Sequence, residues 1–179
     1  VFRLDGADQL DACVDAALAE SATGTAIVET FVDGVELNGI AIARGGVVSV
    51  LTLSDRMRPP GVGFGVGWIH VYPPSLPGEQ IVLAGRVAEE AVRELGLRDA
   101  IAFPQLIASP DGSVAVVEVA ARIPGGQMAD LVRHAVGVDL VEVALRQALG
   151  EPVPDGIALP RFSQPLAIRF FTAEPGPLP

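Results

Sequence analysis

Residues 100–121, AIAFPQLIASPDGSVAVVEVAA, carry most of the fold information in this 179-residue chain. Two apolar runs, Ala100 to Ser109 and Ser113 to Ala121, flank Pro110-Asp111-Gly112. Turn-forming residues between β-rich runs are the signature of a hairpin. Both runs are apolar almost throughout, which predicts a central hairpin covered on both faces. Two polar side chains interrupt them, Gln105 on the first strand and Glu118 on the second. A carboxylate inside VAVVEVAA is costly to bury unpaired, so it needs Arg122, a metal ion or exposure at a cleft. Strand side chains repeat every second residue, which puts Glu118, Ala120 and Arg122 on one face. An amide oxygen beside a carboxylate is hard-oxygen chemistry suited to Mg²⁺. An ion pair of Glu118 with Arg122, or a carboxylate on a wet face, explains the same residues without a metal.

Upstream, Ala26 to Val32 and Val35 to Ala43 are β-rich runs separated by the tight-turn pair Asp33-Gly34. Arg44-Gly45-Gly46 then leads into Val47 to Leu53, so three successive strands with short turns predict an antiparallel meander. Arg56 to Gly67 (RMRPPGVGFGVG) reads as a loop, and Trp68 to Tyr72 as a short strand ended by Pro73-Pro74. Helical periodicity appears from Gln9 to Glu20 and, more strongly, from Glu79 to Leu95, where Gly96 supplies the stop. Two more helices follow, from about Met128 to Ala135 and from Asp139, as N-cap, to Leu149. A Pro-rich tail from Glu151 holds one further strand at Leu166 to Phe171. The expected class is α+β, a largely antiparallel sheet with flanking helices.

Composition narrows the function. The chain has 12 Lys+Arg against 22 Asp+Glu, a net charge of −10, which argues against nucleic acid or an anionic membrane as partner. All 12 basic residues are arginine, so a Walker-type phosphate loop, a Schiff base and a lysine general base are excluded for these residues. No apolar run approaches the roughly 18 residues of a membrane span, which predicts a soluble chain. The one cysteine, Cys13, rules out an internal disulfide framework and an all-cysteine metal site. It falls on the apolar side of the first helix and reads as a packing residue in a reducing, cytoplasmic setting. Val1 is not a methionine and runs straight into Phe2-Arg3-Leu4, so the chain is expected to be a piece of a longer protein.

The stretch AFPQLIASPDGSVAVVEVAARIPGG resembles the metal-binding hairpin of ATP-grasp ligases, which place a Glu, Asp or Gln on one strand and Glu-x-Asn-x-Arg on the next. AIVETFVDGVELNGIAI is similar to that family's linker strand, Glu-x-x-x-x-Gly-x-Glu. WIHVYPPSLP, the helix ending at Gly96 and the following strand pair keep the family's order, and RIPGGQMADLVRHAVGVDLVEVALRQALG resembles the end of its carboxylate–amine ligase branch. The resemblance spans roughly Phe2 to Gly150. It implies residues 1–150 as a partial ATP-grasp domain, the C-terminal portion of the fold, and 151–179 as a Pro-rich extension.

By that resemblance, Glu29 would meet the adenine amino group, Phe31 and Val32 would offer backbone groups to the ring edge, and Glu36 would hold the ribose. Ile107 would pack under adenine, Gln105 and Glu118 would ligate Mg²⁺, and Arg122 would stand by the transferred phosphoryl group. The implied activity is an ATP- and Mg²⁺-dependent, ADP-forming ligase that joins a small carboxylate to an amine through an acyl phosphate. A non-catalytic nucleotide-binding or structural module and a carbamoyl-phosphate-synthase-like enzyme are the alternatives. A homodimer is left open. One match fails: Ala120 stands where the family usually has Asn. The family's glycine-rich loop and phosphate-binding lysines lie upstream of these residues, so the isolated piece is expected to be inactive. His70 and His134 read as structural histidines, and Arg56 and Arg58 as solvated charges or carboxylate-binding residues.

Overall fold

The computed structural model describes residues 1–59, 67–171 and 176. Six antiparallel strands form one sheet: β1 (Val35–Arg44), β2 (Val47–Met57), β3 (Ile69–Tyr72), β4 (Ala100–Ala108), β5 (Val114–Ala120) and β6 (Leu166–Arg169), in the order β5-β4-β1-β2-β3-β6. The helices are α1 (Leu10–Ala19), α2 (Gly78–Glu94), α3 (Met128–Val136), α4 (Leu140–Leu149) and the single turn α5 (Asp155–Ala158). The class is α+β, as the turn chemistry predicts.

Helices cover both faces of the sheet. Ala84, Ala88 and Val92 recur every fourth residue along α2 and are buried. They pack on Leu37, Ala41, Leu53, Ala102 and Leu106, the small and branched residues of one face. On the other face, Leu131, Val132 and Ala135 of α3, with Leu140 and Val143 of α4, cover Ile40, Ile42, Ile101 and Phe103. Asp139 caps α4, its Oδ1 accepting from the Val141 and Glu142 amides at 2.9 and 3.1 Å. Gly96 and Gly150, both at positive φ, end α2 and α4 at the predicted stops. At the hairpin turn Asp111 Oδ1 accepts from the Ser113 amide and hydroxyl at 2.9 and 2.7 Å, which replaces part of the missing ladder.

Three expectations are corrected. Residues 26–32 form no strand, because β1 pairs with β2 on one edge and β4 on the other, leaving no edge for a returning hairpin. Ile27 and Val28 are accordingly exposed. The 100–121 hairpin is not central: β5 is the edge of the sheet, with Val116 and Val117 42% and 52% exposed. Glu118 is therefore exposed rather than buried. Arg56 and Met57 belong to β2 rather than to the loop, and the rest of that loop expectation, residues 60–66, lies outside the described residues. Along α1 no side chain is fully buried, and Cys13 is half-buried.

Pro104 occupies an interior strand, where a missing N–H breaks the ladder. The registered β1–β4 pairs stop at Asn38↔Gln105 and resume at Ala41↔Ala102, so the gap falls where Gly39 faces Pro104. A Cβ on Gly39 would stand 2.9 Å from Pro104 Cγ and 3.3 Å from its carbonyl oxygen. Glycine makes room for the ring. Gly39→Ala should lower unfolding free energy by about 1–3 kcal/mol, the usual cost of overpacking, which chemical denaturation will measure.

On the α3 side of the sheet, Asn38 Nδ2 donates to His70 Nδ1 at 2.9 Å, and both side chains are buried. His70 therefore accepts at Nδ1 and keeps its proton on Nε2. Burial and then the Arg56 guanidinium hold its pKa below the ordinary 6.5. As pH falls below the unfolded value, the unfolded chain takes up a proton that the native ring refuses, so this contribution to stability is lost on acidification. Melting temperatures at pH 7.5 and 5.5 should differ more for the wild type than for His70→Gln. Equal differences would remove His70 from the pH response.

Candidate functional site

Beyond the reach of the α3–α4 cluster, the same face turns polar. Register fixes its layout. Glu118 on β5 lies opposite Gln105 on β4, Gln105 opposite Asn38 on β1, and Asn38 opposite Ser54 on β2. One step along, Ile107 on β4 faces Glu36 on β1. Four strands thus present one row of oxygen-bearing side chains, with an apolar residue and a carboxylate beside it. Exposure falls from the sheet edge inward: Glu118 is exposed, Gln105, Ile107 and Glu36 are half-buried, and Asn38 and Ser54 are buried.

Gln105 Nε2 donates to Glu118 Oε1 at 2.8 Å, so the two expected metal ligands are together on the exposed edge of the sheet. Their donor set, one carboxylate and one amide oxygen, fits a hard dication that retains waters and shares phosphate oxygens. Among the described residues no group of three or more His, Cys, Asp and Glu is placed to hold a metal, so these residues do not form a cage complete in itself. The donor set suits Mg²⁺ arriving with a nucleotide.

Arg122 lies beyond the end of β5, so strand alternation does not carry to it. Its Nη1 donates to the Ile123 carbonyl at 3.2 Å, and among the described residues no ion pair links it to Glu118. The ion-pair explanation of Glu118 is thereby lost, while exposure at the sheet edge accounts for its charge. Glu36 is not a solvated strand charge: its two oxygens accept from Arg56 and Arg58, with all three side chains about four-fifths buried or more, at 21%, 13% and 19% exposure. That contact assigns both arginines to a carboxylate of their own chain. Each Glu36 oxygen keeps a second lone pair able to accept from a diol.

Glu29 and Phe31 are exposed and Val32 half-buried, in the stretch before β1 that belongs to no strand. The Arg3 guanidinium lies over the Phe31 ring, 4.1 Å from its centroid. Gly34 leads this stretch onto the sheet, so close that a Cβ there would be 2.3 Å from the Ala108 carbonyl oxygen and 2.9 Å from Ile107 Cγ2. The segment thus reaches the sheet beside Ile107.

Asn38 was legible by the same sign that marks Glu118, a polar residue inside an apolar strand (VELNGIAIA), yet only register shows that it faces Gln105. Asn38 Oδ1, Ser54 Oγ and Thr52 Oγ1 are buried without a hydrogen-bond partner among the described residues. Asp55, also buried in β2, points to the α2 side of the sheet and accepts from the Ser75 amide and hydroxyl at 2.9 and 2.7 Å.

No protein-family model and no curated protein matches the chain. Solved structures do. An L-amino acid ligase from Bacillus licheniformis superposes with a TM-score of 0.76 at 25% identity, over 88% of this chain and 39% of that one. The biotin carboxylase–β,γ-ATP complex from Campylobacter jejuni gives a TM-score of 0.71 at 17% identity, over 86% of this chain and 35% of that one. The biotin carboxylase domain dimer of the Hydrogenobacter thermophilus 2-oxoglutarate carboxylase, solved with MgADP, ADP and bicarbonate, gives 0.66 at 20% identity, over 88% and 32%. The chain spans well under half the length of these proteins. Strand order, hairpin and likeness agree: the chain carries the C-terminal portion of the ATP-grasp fold, as the carboxylate–amine ligases do.

Proposed function

We propose that this chain is the nucleotide- and metal-binding part of an ADP-forming ligase that joins a small carboxylate to an amine, amino-acid-like in substrate class, through an acyl phosphate. The observation that carries the reading is the Gln105–Glu118 pair, in register and 2.8 Å apart on a polar sheet face of this fold. The amino acid ligase likeness favours an amine acceptor. Residues 1–150 would be the partial ATP-grasp domain, working with an upstream part that supplies the glycine-rich loop and lysines absent here. Residues 151–179 would be its extension, contributing β6 to the same sheet.

Each residue then has a task. Glu118 and Gln105 hold Mg²⁺, which when bound offsets charge on the β- and γ-phosphates. Glu29 accepts from the adenine amino group, and the Phe31 and Val32 backbone meets the ring edge. Ile107 gives the ring an apolar floor. Glu36 accepts from the ribose hydroxyls, held in place by its two arginines. Arg122, always protonated, stabilises negative charge on the acyl phosphate. The neutral His70, bonded through Nδ1, holds Asn38 in place behind Gln105.

A second reading rests on Ala120, a methyl where the resemblance places an oxygen: a module that binds nucleotide without chemistry. ADP release by the full-length protein, screened over amino acids and small carboxylates, separates the two. Release with no carboxylate–amine pair, alongside retained nucleotide binding, would favour the module.

Glu118→Ala should abolish ADP formation, because it removes the pair's only charged ligand. Its melting temperature should hardly move, since an exposed edge residue away from the core costs within about 0.5 kcal/mol. Gln105→Ala should be milder, because water can replace an amide oxygen on Mg²⁺. An active but unstable Glu118→Ala would assign Glu118 to folding instead. Steady-state ADP assays and thermal melts on the same preparations decide it.

A further inference from the structure

The surroundings of the Glu118–Gln105 pair limit what it can bind. Along the hairpin on one side, the next residues on its face are Ala120 and Phe103, which lie opposite each other. Ala120 packs against the core cluster that holds Phe103 and Met128. On the other side the register shifts after Gln105, and Ile107 then lies opposite Ala115. Inward stands Asn38, buried, with its amide nitrogen committed to His70. The carboxylate nearest in register, Glu36, opposite Ile107, is engaged by Arg56 and Arg58. Carbon therefore flanks the pair along both directions of the hairpin, and among the described residues the oxygen donors there that are not buried are one carboxylate and one amide.

Two divalent ions on one site sit about 3.5–4 Å apart, and each needs oxygen ligands of its own. Here the described residues of the hairpin offer enough for one. Residue 120 is the natural place for the missing donor, since it is two residues from Glu118, on the same face and roughly 6.8 Å along the strand. An amide there would bring an oxygen next to the Glu118 carboxylate.

We infer that this hairpin takes a single divalent cation with the nucleotide, through Glu118 and Gln105, and that the methyl of Ala120 is what holds the number at one. The inference rests on the nucleotide-dependent ligase reading and sharpens it.

The test counts ions. The full-length protein is saturated with a non-hydrolysable ATP analogue and titrated with Mn²⁺, and bound Mn²⁺ is measured by electron paramagnetic resonance. The expected result is one Mn²⁺ per chain with an uncoupled signal, lost in Glu118→Gln. Ala120→Asn, checked for folding by its melting temperature, should bind a second Mn²⁺ and show spin coupling. Two coupled ions in the wild type would overturn the inference and leave the ligase reading intact. A folded Ala120→Asn that still binds one ion would overturn the role of Ala120. Failure of the wild type to retain the nucleotide analogue would overturn the ligase reading and this inference with it. If Ala120→Asn does not fold, the wild-type count and Glu118→Gln decide alone.

Discussion

A β-strand has two hydrogen-bonding edges, and β1 spends both, on β2 and on β4. Unpaired buried backbone groups are costly, so pairing of the most buried strand along both edges is the constraint from which the rest of the arrangement follows. With β1 closed on both sides, the stretch before it joins no strand of this sheet and leads to β1 through Gly34. With β4 taken by β1 on one side, β5 is left at the edge. That puts Glu118 where a carboxylate meets water rather than where it would need rescue. The same order lines up Gln105, Asn38 and Ser54 on one face. Pairing alone thus assembles the polar row.

Charge in this molecule is arranged by depth. Exposed ion pairs such as Arg93 with Glu90 contribute little to stability, because water and salt screen them. Glu36 with Arg56 and Arg58 is different: partly desolvated groups are screened less, and removing the carboxylate would leave two half-buried guanidiniums facing each other. Such a cluster makes a poor case for stability, since burying three charges is itself costly. Its place is the polar face, where Glu36 lies opposite Ile107 on the strand that carries Gln105.

Much of this was legible in the sequence, for identifiable reasons. Local chemistry was read correctly: Asp139 as a cap, Gly96 and Gly150 as stops, Pro110-Asp111-Gly112 as a turn, and the hairpin that sets Gln105 beside Glu118. What failed was inference from apolar content to position. Val116 and Val117 are as hydrophobic as core residues but sit on an edge strand, because hydrophobicity does not say how many neighbours a strand has. Ala26 to Val32 has strand composition and no free partner. Arg122 has strand spacing from Glu118 but lies past the strand's end. That Asn38 faces Gln105, and that Arg56 and Arg58 clasp Glu36, were out of reach because both depend on register between strands distant in sequence, which no local window contains.

The absence of lysine bears on both the fold and the site. An ammonium is a point charge that loses its proton readily when buried, whereas a guanidinium stays charged and offers a planar fork. Holding Glu36 from two sides in a half-buried setting suits the second kind of cation. The basic side of this face is therefore fixed across physiological pH. His70, the group there whose charge would otherwise change near neutrality, is kept neutral by burial and by Arg56. The electrostatic field of the face is thus set by permanent charges. A site that handles anions gains from such a field, because the stabilising charge is in place before the reaction and does not reorganise during it.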